Sequence, residues 1–175
     1  METPKELESS KADFAKDINR GIIGEKILAK TFNWHIPPAN PETKLPERRF
    51  DLVYPPHTIE IKTDFYDMEK TPNFFMEKVS DEDFGSLGGP WRAADDNVDW
   101  FVYFFIKNAR VFCWKTANLV SCLNAVTKNM EPSKVENKNY TTKGFKVKRS
   151  TLTKHCLFEK SVPKEIIDQY WSEKN

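Results

Sequence analysis

Asp51, Glu60 and Lys62 stand out because their types and spacing could support phosphate chemistry. They lie in the run Arg48-Arg49-Phe50-Asp51-Leu52-Val53-Tyr54-Pro55-Pro56-His57-Thr58-Ile59-Glu60-Ile61-Lys62. On an extended strand Ile59 and Ile61 face one way, and Glu60 and Lys62 the other. A turn at Pro55-Pro56 folds the preceding strand back and brings Asp51 alongside Glu60 or Lys62. Two converging carboxylates need a positive charge between them, and a hard divalent cation such as Mg2+ takes oxygen ligands of this kind. Such an ion lowers the pKa of a bound water and clamps a phosphate oxygen. Lys62 is then placed to orient the attacking water or to stabilise developing charge. The plainer reading is a solvated Glu-x-Lys pair, of which Glu136-Asn137-Lys138 is a second copy in a polar run. The first copy differs in its apolar flanks and in the aspartate that precedes it.

The elements that must hold these residues are legible in outline. Residues 1–9 read as a polar lead-in, and residues 10–175 as a single domain. Phe14, Ile18 and Ile22 recur at helical spacing, widened by Ile23, Ile27 and Leu28, so Ser10 to Phe32 is a helix capped by Ser9 or Ser10. Glu25 lies three residues after Ile22 and falls on that stripe. A carboxylate there needs a cation or a basic partner. Residues 33–47 are a proline-rich loop. Phe50–Tyr54 and Thr58–Lys62 form the hairpin, and Asn73–Val79 is a third strand on which Glu77 faces either the site or solvent. Residues 80–97 read as a loop. In it, Gly88-Gly89-Pro90-Trp91-Arg92 is a flap or a dimer contact. Trp100–Ile106 and Val111–Trp114 are strands, the first apolar enough for burial on both faces. Thr116 starts a helix to about Lys128, Phe145–Arg149 is a short strand, and Pro163 opens a last helix. Asp64 and Asp67 read as loop acids, and Asp99 as a turn residue or cap. The expected class is α/β or α+β, a central mixed β-sheet flanked by helices.

An acidic helix, an aspartate on one strand and Glu-x-Lys on the next together resemble the PD-(D/E)xK nuclease superfamily. The segment Gly21-Ile22-Ile23-Gly24-Glu25-Lys26-Ile27-Leu28-Ala29 is similar to that family's first helix, and Asn73–Glu77 and Asp99–Tyr103 are similar to later strands of resolvase-like and phage members. The likeness covers residues ~12 to ~115, with the Asp…Glu-x-Lys core its specific part. Phe50 stands where the pattern has proline. The resemblance implies a restriction-endonuclease-like fold and a metal-dependent DNA endonuclease. Asp51, Glu60 and the Ile61 carbonyl would hold Mg2+ (Mn2+ can substitute), with Glu25 supporting the same or a second ion. Glu77 would lie near the metal or the substrate. A homodimer acting on branched DNA, as a Holliday-junction resolvase does, is the first expectation. A phage-type or repair nuclease cutting linear or single-stranded DNA is the next, and a non-catalytic nucleic-acid-binding protein of the same fold is the third.

Charge is segregated along the chain. The 27 basic and 26 acidic residues leave a net charge of +1, yet residues 59–99 carry a net of −7 and residues 100–160 a net of +9. The basic segment 128–154 interleaves lysines with Tyr140 and Phe145. Lys143, Lys146, Lys148 and Arg149 could grip a DNA backbone there, or form a solubilising surface. Arg48 and Arg49 could contact a phosphate beside the scissile one, or pair with surface acids. Three widely spaced cysteines (Cys113, Cys122, Cys156) without a CxxC argue against a disulfide scaffold or structural zinc. No Walker loop, GxGxxG, HExxH or nucleophile elbow is present, which disfavours NTPase, dehydrogenase, zinc protease and α/β-hydrolase chemistry. The polar N-terminus carries no secretory pattern and the longest apolar run is Trp100–Ile106, so a cytoplasmic protein with no membrane span is expected.

Overall fold

The computed structural model describes residues 20–38, 50–136 and 140–172. Helix α1 occupies residues 20–32. A hairpin follows: β1 (Leu52–Tyr54), a turn with a cis Pro55–Pro56 bond, and β2 (His57–Asp64). Next come β3 (Asn73–Asp81), β4 (Ser86–Leu87), α2 (Gly89–Asp95), β5 (Trp100–Phe105), β6 (Arg110–Lys115) and α3 (Thr116–Thr127). The chain continues through β7 (Ser133–Glu136), β8 (Thr141–Lys148), α4 (Arg149–Leu152), β9 (Phe158–Ser161) and α5 (Lys164–Tyr170). The class is α+β. The expected start of the first helix, its Ser9 or Ser10 cap and most of the 33–47 loop lie outside the described residues.

The first sheet has the order β1-β2-β5-β6-β9 and is mixed, because β2 and β5 run parallel while the other neighbours are antiparallel. A second sheet, β4-β3-β8-β7, is antiparallel throughout. The third strand therefore belongs to a separate sheet and not to a single central one. Its alternation explains this. Phe74 and Met76 are fully buried while Asn73, Phe75 and Glu77 are not, and the apolar face needs a cover. It finds one in Phe101, Tyr103 and Phe105 of β5, with the Phe74 and Tyr103 ring centroids 5.0 Å apart.

The centre of the molecule is β5, buried on both faces as its apolar run implies. Phe101, Tyr103 and Phe105 enter a core shared with β3, β8, α2 and α3. Val102 and Phe104 enter a second core with Ile27 and Leu28 of α1 and Ile167 of α5. Each such side chain contributes about 1.5–3 kcal/mol of burial free energy.

Several expectations need correction. Residues 80–97 are not a continuous loop, since they hold β4 and α2. Pro90 suits the first turn of α2, and Pro90, Trp91 and Ala93 are buried. The polar stretch after Lys128 contains β7, an edge strand whose apolar component is only Val135, so no alternation announces it. The strand at Phe145 starts earlier, at Thr141, because its first half pairs with β7. The short strand β9 and the one-turn helix α4 carry too few apolar residues to register as patterns. Pro163 precedes α5 as its cap residue. Among the described residues no helix is long and apolar enough to cross a membrane.

Candidate functional site

The β1–β2 hairpin brings Asp51 to the edge of β2. Leu52 pairs with Ile59, and the Asp51 N–H donates to the Ile59 carbonyl at 2.8 Å. One carboxylate oxygen of Asp51 accepts the Ile61 N–H at 2.8 Å. On a strand a residue's N–H and C=O face the same neighbour, so the Ile61 carbonyl is directed to the same edge, beyond the end of β1.

Glu60 and Lys62 point to the opposite sheet face from Ile59 and Ile61. Glu60 lies beside Phe101 and Lys62 beside Tyr103 across the parallel ladder, so their side chains start from the β3-facing side of the first sheet. Glu60 is only 7% exposed. Its Oε1 accepts a hydrogen bond from Arg92, while Oε2 is buried and has no hydrogen-bond partner. Burial, reinforced by the charge of Asp51, pushes the Glu60 carboxyl from its ordinary 4.5 up to about 8. Arg92 pulls it down, and Glu25 and Asp96 push it up further. The Lys62 ammonium sits 3.6 Å from a Glu77 carboxylate oxygen. Glu77 is thus an ion-pair partner of Lys62.

Glu25 reaches this region because α1 lies hard against β2. A Cβ on Gly24 would fall 1.8 Å from Thr63 Oγ1, so only glycine permits the approach. The buried stripe of α1 is Gly24, Ile27 and Leu28, while Ile22, expected on it, is 37% exposed. Glu25 is half-buried on the flank of that stripe.

Arg92 was not legible as a site residue. It sits on α2, pairs with Glu60 and lies 3.7 Å from Asp96. The segment read as a flap is ordered around a buried Trp91, whose Nε1–H donates to Asn124 at 2.9 Å. Only the buried turn of helix before Arg92 aims it at β2, and no local pattern in the sequence marks that direction.

Other acids have structural partners. Asp99 ties the start of β5 to β2 by accepting from the Thr58 N–H and hydroxyl. Asp64 belongs to β2 itself and accepts the Tyr103 hydroxyl at 2.5 Å. Asp67 caps the 3-10 turn Met68–Lys70. His57 stacks on Trp100, with ring centroids 4.5 Å apart.

The basic candidates divide. Lys146 and Lys148 are exposed on β8, where Phe145 and Val147 turn inward. Lys143 pairs with Glu82, which also holds Lys134 at 3.3 Å. Arg149 donates to the Thr71 carbonyl and lies over the Phe105 ring, so its guanidinium is committed to packing. Arg48 and Arg49 lie outside the described residues, as does Lys138 of the second Glu-x-Lys copy. The three cysteines are free, and burial pushes the Cys113 thiol up to about 12, which makes it a poor nucleophile.

The site thus combines a buried acid, a second carboxylate held by a backbone N–H, a half-buried third acid and two bases. Among the described residues no three His, Cys, Asp or Glu side chains close into an ion-holding group. Arg92 supplies positive charge at Glu60.

No family model matches the chain, and no curated protein or solved structure matches it.

Proposed function

We propose that the chain is a metal-dependent DNA endonuclease of the restriction-endonuclease-like fold, hydrolysing phosphodiester bonds. The observation that carries this reading is the unpartnered, buried Oε2 of Glu60 beside Asp51 and on the same strand face as Lys62. A buried carboxylate oxygen without a partner is costly, and a cation removes the cost. The donors present are hard oxygens, which fit Mg2+ or Mn2+. Asp51, Glu60 and the Ile61 carbonyl would hold the ion, with Glu25 behind them. When bound, the ion supplies an acidified water and charge stabilisation at the phosphate.

The chain's own groups do the rest. The Ile61 N–H fixes the Asp51 carboxylate at the strand edge. Lys62, held off solvent disorder by Glu77, presents an ammonium that orients a water for in-line attack and stabilises charge on the phosphate oxygens. Lys146 and Lys148 hold the DNA backbone without reading sequence. Branched DNA and a homodimer remain part of the proposal on the strength of the sequence resemblance.

A second reading, a nucleic-acid-binding protein of this fold that does not cut, is favoured by one observation: Arg92 already engages Glu60. The same experiment separates the two. Purified protein is incubated with Mg2+ and linear, single-stranded or four-way-junction DNA, beside Asp51→Ala and Lys62→Ala. Metal-dependent cutting by the wild type alone is the expected result. Binding without cutting supports the second reading, and equal cutting by all three proteins places the active centre elsewhere.

A further inference from the structure

We propose that Arg92 is the resident counter-cation of this site, and that a divalent metal ion displaces it from Glu60. The inference rests on the metal-site reading above. The carboxylate is the fixed partner and the arginine the movable one: the Glu60 side chain is 9% exposed, that of Arg92 41%. Their contact uses one carboxylate oxygen, although a guanidinium and a carboxylate can form two parallel bonds. The other oxygen stays buried and unpartnered.

The helix that delivers Arg92 is rigidly seated. Pro90, Trp91 and Ala93 are buried. Gly89 adopts a positive φ, and a Cβ there would fall 2.7 Å from the Glu77 carbonyl oxygen, so the start of α2 is pressed onto β3. The side chain of Arg92 can therefore move while its backbone stays in place. Asp96, one turn along α2 and 3.7 Å from Arg92, is an alternative seat for the guanidinium.

Charge gives the direction of the exchange. Asp51, Glu25 and Asp96 all act on Glu60, and Arg92 is the cation that acts on it most strongly. A guanidinium and a metal ion would compete for Glu60, so Arg92 sets the metal concentration at which the site fills.

The test uses the full chain and Mg2+ alone. Calorimetric titration compares wild type, Arg92→Ala and Asp51→Ala, and the 15N–1H signal of the Arg92 Nε–H is followed in the wild type as Mg2+ is added. Removing the competitor should tighten Mg2+ binding about tenfold in Arg92→Ala. The metal-free variant should melt below the wild type and regain the difference in Mg2+. The Arg92 signal should shift with the same midpoint as binding. Suppose Mg2+ binds in an Asp51-dependent way but no tighter in Arg92→Ala, and the signal stays still. The exchange is then wrong and the metal site stands. If Mg2+ binds neither the wild type nor Arg92→Ala, both readings fall. If Arg92→Ala does not fold, the wild-type signal alone decides.

Discussion

Glu60 is a carboxylate in an apolar setting, and its environment makes a pH prediction. Its pKa in the folded chain, about 8, lies above the ordinary 4.5. Between those values the native state binds a proton that the unfolded chain has released. Metal-free stability should therefore fall as pH rises from about 4.5 to about 8, by at most about 1.4 kcal/mol per pH unit. Denaturant melts across this window should show the slope, and Glu60→Gln should flatten it. Mg2+ affinity should rise over the same window, because the ion needs the deprotonated carboxylate. Lys62 makes a separate prediction. Lys62→Ala should lower the cleavage rate by at least about a hundredfold, while Mg2+ binding measured by calorimetry changes little, since Lys62 is no ligand.

At the scale of elements, the site depends on two close approaches. Gly24 lets α1 lie on β2 at Thr63, and Gly89 lets α2 lie on β3 at Glu77. In Gly24→Ala the new methyl meets Thr63 Oγ1, Cβ and Cγ2 together, so a rotamer change cannot relieve it. A loss of about 1–3 kcal/mol is expected by urea denaturation. Mg2+ affinity should weaken with it, because Glu25 moves with the helix. A Gly24→Ala protein as stable as wild type would show that α1 is not seated as described. The hairpin was the easiest element to anticipate, because Pro55-Pro56 and the alternation around Glu60 are local signals. The edge strands β7 of the second sheet and β9 of the first were harder, because they are stabilised by pairing with β8 and β6 and not by their own composition.

For the molecule as a whole, the two charged halves of the chain are partly stitched together. Glu82 from the acidic stretch holds Lys134 and Lys143 from the basic one. Lys146 and Lys148 remain exposed on β8, directly opposite Phe75 and Asn73 of β3. Directly opposed residues share a sheet face, and Glu77, the partner of Lys62, lies on that face too. Lys146 and Lys148 thus share a face of the second sheet with the ion-pair partner of Lys62. Lys146→Ala and Lys148→Ala should each weaken DNA binding and reduce the salt slope by about one, with stability unchanged. Arg149→Ala should instead destabilise the fold by about 1–3 kcal/mol through its lost carbonyl partner, with little change in the salt slope.

Local alternation and turn chemistry were enough to place Asp51, Glu60 and Lys62 on one hairpin, and to mark β5 as a strand buried on both sides. Those features follow from nearest neighbours along the chain, where spacing and direction are coupled by backbone geometry. Arg92 on Glu60, Glu77 on Lys62 and Arg149 on the Thr71 carbonyl join residues 32, 15 and 78 positions apart. Such partners are chosen by how helices and sheets pack, not by any periodic signal. The sequence also shows the near-balance of charge, but only the folded chain shows which lysines are already neutralised and which still face outward.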